Sequence, residues 1–227
     1  LLNTKAKFAT DTQPLNKGKQ QVVIGIVSGS TTTKIVAVRV NAGTPTGDIV
    51  FTNYRLNLGN PIKAVADGLN ALKQEAALRG AELEIVGSCS TGYGEELIKA
   101  AFGLDSGIIE TMAHERAAAS LMPDVCFILD IGGQDMKAIF VEIGAGVRME
   151  LNEACSSGCG TFIQTFANNM GYSVGDFAQL ACQSKAPCDL GTRCTVFMTS
   201  KVKQGVREVA SGAGIAAGTS YSGSMTG

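Results

Sequence analysis

Alternating apolar and polar positions predict strands, and one pair of strands has a copy further along the chain. Apolar residues alternate along 22–28 and along 34–40 with a short polar segment between them, which is typical of a strand hairpin. The pattern recurs 103 residues later, beginning at Phe127. A third strand is predicted after each hairpin, at 49–56 and at 147–152. A repeat on this scale predicts two related subdomains rather than a solenoid.

Helical spacing of apolar residues predicts a long helix after the first three strands. The pattern runs from Asn60 to about Arg79, where Asn60 can cap the helix and Pro61 suits its first position. A strand at 84–89 and a turn at 90–94 follow, and the turn leads into another helix. This turn either approaches a ligand or simply caps that helix.

The only histidine of the chain, His114, lies on a short alanine-rich helix that we expect to link the two subdomains. It stands beside Glu115 and Arg116, and a lone histidine in such a setting is more often a surface or structural residue than a catalyst. We therefore do not assign His114 as a general base.

Composition and charge exclude some classes of function. The 227 residues are 45% hydrophobic, which is ordinary for a soluble globular protein, and 19 basic against 20 acidic residues leave a net charge of −1. This balance argues against nucleic acid as the main partner. No apolar stretch approaches the roughly 20 residues of a membrane-spanning helix, and the first twenty residues lack a signal-peptide core. The pattern predicts a cytoplasmic protein without a membrane partner.

Each predicted hairpin turns at glycine. The first turn is 29–33 and the second contains Gly132 and Gly133, and each is followed by a lysine, Lys34 or Lys137. Because glycine has no Cβ, such a turn lets a bound ion approach the backbone and presents N–H groups to it. Two facing turns of this kind are expected to hold one polyphosphate, although a plain Ser/Thr hairpin loop is the alternative for the first.

Seven cysteines without a secretory signal indicate reduced thiols or metal ligation more than disulfides. Cys155 and Cys194 each precede a predicted helix, where the helix dipole favours a thiolate. The spacing matches no standard zinc motif, although Cys159, Cys182 and Cys188 remain available. Two ligands per chain suggest a four-thiolate site completed by a second chain. The alternative is that these are buried free thiols that act as small hydrophobes.

Together these motifs resemble one family. Over roughly residues 21–221 the chain is similar to the BadF/BadG/BcrA/BcrD family, the activator ATPases of 2-hydroxyacyl-CoA dehydratases and their benzoyl-CoA reductase relatives, and especially to a domain of large multidomain activase-like proteins. The resemblance rests on five segments, 29–32, 91–94, 130–135, 155–158 and 194–197. It implies the α/β fold of actin, Hsp70 and the acetate and sugar kinases, with duplicated subdomains and mixed sheets. The predicted divisions are a flexible lead-in at 1–20, a first subdomain at 21–124 and an incomplete second subdomain at 125–227.

The resemblance also implies ligands and roles. ATP phosphates would contact seven residues: Gly29, Ser30, Thr31, Thr32, Lys34, Gly132 and Gly133. Asp130 and Gln134 would be catalytic, with Asp130 positioning Mg²⁺ or the attacking water. Cys155 and Cys194 would each donate a thiolate to one 4Fe-4S cluster shared by two subunits, with Cys159 as a possible further ligand.

The implied partners follow from the family's activity. A homodimer would form through the cluster, accept an electron from reduced ferredoxin or flavodoxin, and pass it to a 2-hydroxyacyl-CoA dehydratase or a related reductase component. Two alternatives stay open. A small-molecule kinase of the same fold needs no thiolate pair, so Cys155 and Cys194 argue against it. A non-catalytic regulatory domain is the other alternative.

Two departures from the family pattern change what we expect. The family has an aspartate where Val27 stands, so hydrolysis is expected to be slow or absent. The family's adenosine-binding Gly-Gly turn lies further on, whereas the only Gly-Gly of this chain is Gly132-Gly133. Weak nucleotide affinity is therefore expected.

Overall fold

The computed structural model describes five stretches of the chain, namely residues 12–142, 146–151, 159–191, 200–204 and 211–224. The chain divides into two compact units, Leu1–Ala113 and His114–Gly227. The boundary between the units falls within the alanine-rich helix that carries His114, α3 (Glu110–Leu121). Each unit contains a sheet and helices, so the predicted α/β class is confirmed.

The first unit is built on a five-stranded mixed sheet. Its strands are β1 (Gly18–Ser28), β2 (Thr32–Asn41), β3 (Thr44–Leu56), β4 (Ala81–Thr91) and β5 (Ser106–Gly107). They lie in the order β3-β2-β1-β4-β5. β2 pairs antiparallel with both β1 and β3, and β4 pairs parallel with both β1 and β5. The centre of the sheet is thus the first predicted hairpin.

Residues 18–20 belong to β1 rather than to the predicted lead-in. Gly18 pairs with Ala81 at the start of β4, which extends the strand beyond the alternating apolar pattern. Leu15, just before the strand, is 5% exposed and packs in the core of the first unit. Backbone pairing and one buried side chain therefore order a segment whose composition is polar.

The long predicted helix is confirmed as α1 (Pro61–Arg79). The side chain of Asn60 accepts a hydrogen bond from the backbone N–H of Lys63 at 2.9 Å, and Gly80 ends the helix with φ of 63°. These are the cap interactions that asparagine and glycine favour at the two ends of a helix. α1 and α2 (Glu95–Phe102) cover one face of the sheet. The buried core between them is Leu15, Val22, Ile24, Ile26, Ile35, Ala37, Val50, Val65, Leu72, Ala76 and Ile98.

The second unit contains an antiparallel sheet of β6 (Phe127–Ile131), β7 (Met136–Glu142) and β8 (Gly146–Leu151), in that order. The helices that follow are α4 (Gly160–Asn169), α5 (Val174–Cys182) and α6 (Gly212–Ser224). Residues 200–204 are also helical. The buried core of the unit is Phe162, Phe166, Ala167, Phe177, Leu190, Val202, Ile215 and Ala216.

The 103-residue repeat is visible in the strand register. Val27 pairs with Lys34 across β1 and β2, and the residues 103 positions later, Asp130 and Lys137, pair across β6 and β7. The two hairpins therefore place equivalent residues at equivalent positions. Along the part of the chain that the structure describes, no helix has the length and apolar character needed to span a membrane.

Candidate nucleotide site

The first glycine turn joins β1 to β2 and is held by a residue that follows β3. Gly29 N donates to Thr32 O at 2.9 Å and closes the turn. Asn57 Nδ2 donates to Gly29 O at 2.7 Å, while Asn57 Oδ1 accepts from Thr33 Oγ1 at 2.6 Å. Asn57 is buried, so its hydrogen bonds are shielded from water. This one side chain therefore fixes the turn against the end of β3.

The polar candidates around this turn differ in accessibility. Ser30 is exposed at the tip and Thr31 is partly exposed, whereas Thr32 is buried at the start of β2. Lys34 Nζ lies 5.7 Å from the ring centroid of Tyr54, its neighbour on β3. A phosphate role for these four residues remains a prediction, and Ser30 is the most accessible of them.

The predicted turn at 90–94 packs against Ser28, the residue immediately before the first glycine turn. Gly94 N donates to Ser28 O at 2.9 Å, at the point where β1 ends. Gly92 has φ of 95°, and a Cβ there would lie 2.7 Å from Ser28 O. A Cβ on Gly94 would lie 2.6 Å from Ser28 Oγ. The close backbone approach requires glycine at Gly92, whereas a side chain at Gly94, the N-cap of α2, would meet the Ser28 side chain.

The second glycine turn repeats the geometry of the first. Gly132 N donates to Asp135 O at 2.9 Å, and this hydrogen bond lies 103 residues after the one that closes the first turn at the same length. Gly133 is partly exposed and Gln134 is exposed at the tip. The two predicted turns are therefore structural equivalents.

The beginning of α4 lies against the second turn. Gly160 N donates to Gly132 O at 2.8 Å, and Thr161 N donates to Gly133 O at 2.9 Å. The hydroxyl Oγ1 of Thr161 donates to the same carbonyl oxygen at 2.6 Å. A Cβ on Gly160 would lie 3.2 Å from Gly132 O. The turn and the first residues of this helix thus form one hydrogen-bonded unit.

A cluster of charged side chains lies around the end of β6. Lys137 Nζ lies 2.8 Å from Asp135 Oδ2 and 3.7 Å from Asp130 Oδ2, and the lysine is buried. His114 Nδ1 lies 3.4 Å from Asp130 Oδ2. The interaction with His114 holds the pKa of Asp130 below its usual value, with a further contribution from the charge of Lys137, while burial acts in the opposite direction. Asp130 is therefore ionised at neutral pH.

The first unit lacks this carboxylate pair. Val27 takes the position of Asp130 and Thr32 takes the position of Asp135, so Lys34 stands where Lys137 has two acidic neighbours. Among the described residues, Lys34 has no carboxylate within ion-pair distance. The two glycine turns are alike in backbone geometry and differ in charge.

Residues 24–222 match the model of the BadF/BadG/BcrA/BcrD ATPase family. The chain belongs to this family. The match covers both units, including both glycine turns and the charged cluster.

Two curated relatives indicate what kinds of protein the family contains. The chain is 27% identical over 179 residues to the (R)-2-hydroxyglutaryl-CoA dehydratase activating ATPase of Acidaminococcus fermentans, covering 79% of this chain and 65% of that protein. It is 28% identical over 183 residues to a component of the benzoyl-CoA reductase of Thauera aromatica, covering 80% of this chain and 62% of that protein. The chain therefore spans somewhat less than two thirds of the length of these relatives.

A solved structure of the family supports the fold. The activator of the 2-hydroxyisocaproyl-CoA dehydratase from Clostridium difficile, with bound ADPNP, superposes with a TM-score of 0.76 at 26% sequence identity. The superposition covers 90% of this chain and 72% of that chain. The protein has the actin-like fold of the activator ATPases, as the sequence resemblance implied.

The cysteines proposed as cluster ligands, Cys155 and Cys194, lie outside the described residues, so their role in this family member remains a prediction. Cys159 is buried at the N-cap of α4, next to the second glycine turn. Cys182 is exposed and Cys188 is partly exposed. Cys159 is therefore buried at the N-terminal end of α4.

Three residues of the site were missed or set aside by sequence reasoning. His114 was assigned a surface or structural role, and it contacts Asp130. Asn57 and Thr161 were not singled out, and each binds a carbonyl group of a glycine turn. Asn57 precedes α1 and Thr161 is in the first turn of α4, so both lie where the chain enters a helix after a third strand. An alignment of the two hairpins of the internal repeat could have pointed to both of these segments.

Proposed function

We propose that this protein is an ATP-dependent activator that delivers a low-potential electron, through a 4Fe-4S cluster bridging two copies of the chain, to a 2-hydroxyacyl-CoA dehydratase or a benzoyl-CoA reductase type of partner. Family membership and the names of the relatives support the activator role. Reduced ferredoxin or flavodoxin is the proposed electron donor. The protein's chemistry would then be timed electron delivery rather than turnover of an organic substrate.

The observation that carries the proposal is the pair of glycine turns closed by the same backbone hydrogen bond, Gly29 N to Thr32 O and Gly132 N to Asp135 O. Duplicated turns of this type, each joining two antiparallel strands, offer backbone N–H groups to a polyphosphate. The ADPNP in the related activator supports ATP as the nucleotide. We assign phosphate contacts to both turns.

Asp130 is the proposed catalytic carboxylate. Its lowered pKa keeps it charged at neutral pH, and carboxylate oxygens are the ligands that Mg²⁺ prefers. Gln134, exposed at the tip of the turn, would orient the water or a phosphate oxygen. Lys137 is already neutralised by Asp130 and Asp135, so its role is to hold these carboxylates rather than to bind phosphate.

Cys155 and Cys194 would hold the cluster. Cysteine thiolates are the usual ligands of a four-iron centre, and two per chain fit a site completed by a second copy. When bound, the cluster supplies a one-electron carrier whose potential depends on its surroundings. α4 begins five residues after Cys155 and is hydrogen-bonded to the second glycine turn, which supports a route from nucleotide to thiolate.

Anaerobic purification tests the proposal. We expect brown protein with about four iron and four sulfide per dimer, as one cubane requires. Cys155→Ala and Cys194→Ala should each abolish the colour, while Cys182→Ala, which changes an exposed thiol, should retain it. If the unaltered protein is colourless after anaerobic purification with its thiols kept reduced, the electron-transfer role is contradicted.

A second candidate is a nucleotide-binding regulatory domain that does not hydrolyse ATP. The observation that favours it is Val27, which leaves Lys34 without the carboxylate that Asp130 provides to Lys137. This candidate predicts ATP binding without hydrolysis or iron. The same purification, followed by an ATPase assay and equilibrium binding of ATP, distinguishes the two.

A further inference from the structure

Two consecutive carbonyl groups of the second glycine turn are directed towards α4. Gly132 O accepts from Gly160 N, and Gly133 O accepts from both N and Oγ1 of Thr161. The distances are 2.8, 2.9 and 2.6 Å, which are those of well-formed hydrogen bonds. The N–H groups at the beginning of α4 are therefore used to bind the turn.

Peptide planarity then determines where the N–H groups of the turn lie. In a trans peptide the C=O and the following N–H point in opposite directions, and the protein has no cis peptide bond among its described residues. Because Gly132 O and Gly133 O point at α4, the N–H groups of Gly133 and Gln134 point away from it. Two adjacent N–H groups on one side of a turn form a concave site for an anion.

The first unit holds its glycine turn in an equivalent way. Gly29 is the counterpart of Gly132, and Gly29 O accepts from Asn57 Nδ2 at 2.7 Å. Asn57 lies between β3 and α1, as Gly160 lies beyond β8 at the beginning of α4. By the same planarity, the N–H of Ser30 points away from Asn57. Each unit therefore has a donor that binds a carbonyl group of its glycine turn. The donor is a side chain in the first unit and the N-terminus of a helix in the second.

We propose that Thr161 is a positioning residue for nucleotide phosphate, which acts by holding Gly133 O so that the N–H groups of Gly133 and Gln134 face the ligand. The inference rests on the proposed ATP-binding function and adds a residue to it. Thr161 does not touch the nucleotide. Its hydroxyl reduces the freedom of the turn, and a preorganised turn binds its ligand more tightly than a mobile one.

The test compares four forms of the full chain by equilibrium binding of ATP and of adenosine. Thr161→Val keeps the shape and removes the hydroxyl, and we expect ATP to bind about five- to tenfold more weakly, the effect of about one hydrogen bond. Thr161→Ser keeps the hydroxyl and should bind ATP within about twofold of the unaltered protein. Adenosine has no phosphate, so Thr161→Val should leave its affinity unchanged.

Thr165→Val is the matched control. Thr165 lies one turn further along α4, and its Oγ1 donates to Thr161 O at 2.7 Å, so the variant removes a similar hydroxyl from the same helix without touching the turn. It should bind ATP normally. Equal ATP affinity in Thr161→Val and the unaltered protein would overturn the inference, as would equal losses for ATP and adenosine or a loss in Thr161→Ser. If the unaltered protein binds no ATP, the proposed function itself fails.

Discussion

Nδ1 of His114 lies 3.4 Å from Oδ2 of Asp130, so an imidazole on α3 contacts the carboxylate at the end of β6. The side chain of the histidine is 30% exposed and that of the aspartate 21% exposed, so both are partly buried. The contact is the largest cause of the lowered pKa of Asp130. His114 therefore tunes the residue that we assign to catalysis.

The first prediction concerns acid stability. Because the pKa of Asp130 is lower in the folded protein than in the unfolded chain, its ionisation stabilises the fold above the unfolded pKa of about 3.9. This stabilisation is lost as the pH falls through the folded pKa. His114→Gln should reduce the free energy of unfolding at pH 5, and the difference from the unaltered protein should shrink by pH 3.

Urea unfolding at pH 5 and pH 3 provides the measurement. Arg116→Gln removes an exposed cation from the same helix and serves as the control, with no expected change in the pH profile. If His114→Gln had the same effect at both pH values, the stabilising contact would not depend on the charge of Asp130.

The second prediction concerns hydrolysis. Asp130→Asn keeps the size of the side chain and removes its charge, so it should lower the rate of ATP hydrolysis by about 100-fold, the scale of removing a preorganised electrostatic group. Binding of ATP should change much less, because the glycine turns remain. Single-turnover hydrolysis and equilibrium binding measure the two effects, and Asp124→Asn, at an exposed position, is the control. An unchanged rate of ATP hydrolysis in Asp130→Asn would show that Asp130 is not a catalytic residue.

The third prediction concerns the missing carboxylate of the first unit. Val27→Asp should raise the rate of ATP hydrolysis, because the register places residue 27 opposite Lys34 as Asp130 is placed opposite Lys137. Val27→Asn has nearly the same shape without the charge, and it should not raise the rate. The steady-state ATPase rate is the measurement. If all three proteins have the same rate, Val27 is only a strand residue.

The fourth prediction concerns the stability of the first glycine turn. Asn57→Ala removes the donor to Gly29 O and the acceptor for Thr33 Oγ1, both in a buried setting. The free energy of unfolding should fall by about 1–3 kcal/mol, the usual effect of leaving buried polar groups without partners. Urea unfolding measures the change, and the exposed Asn41→Ala is the matched control. A change below the error of the control would mean that water replaces the amide.

The local features of the fold were predictable because they depend on neighbouring residues. α1 follows from an asparagine cap, a proline at the first position, regular apolar spacing and a terminal glycine, and all four act within a few residues along the chain. The hairpins follow from alternation and glycine. The 103-residue repeat is also seen in the strand register, where Asp130 pairs with Lys137 as Val27 pairs with Lys34.

The amino-acid sequence by itself therefore determined the strands, the long helix, the duplicated turns and the family resemblance. Only the tertiary structure decided that His114 contacts Asp130, that Asn57 holds the first turn and that Thr161 holds the second. The physical reason is distance along the chain. These contacts join residues 16 to 28 positions apart on different elements, so they depend on how helices and strands pack, whereas caps, turns and alternation depend on backbone preferences within one element.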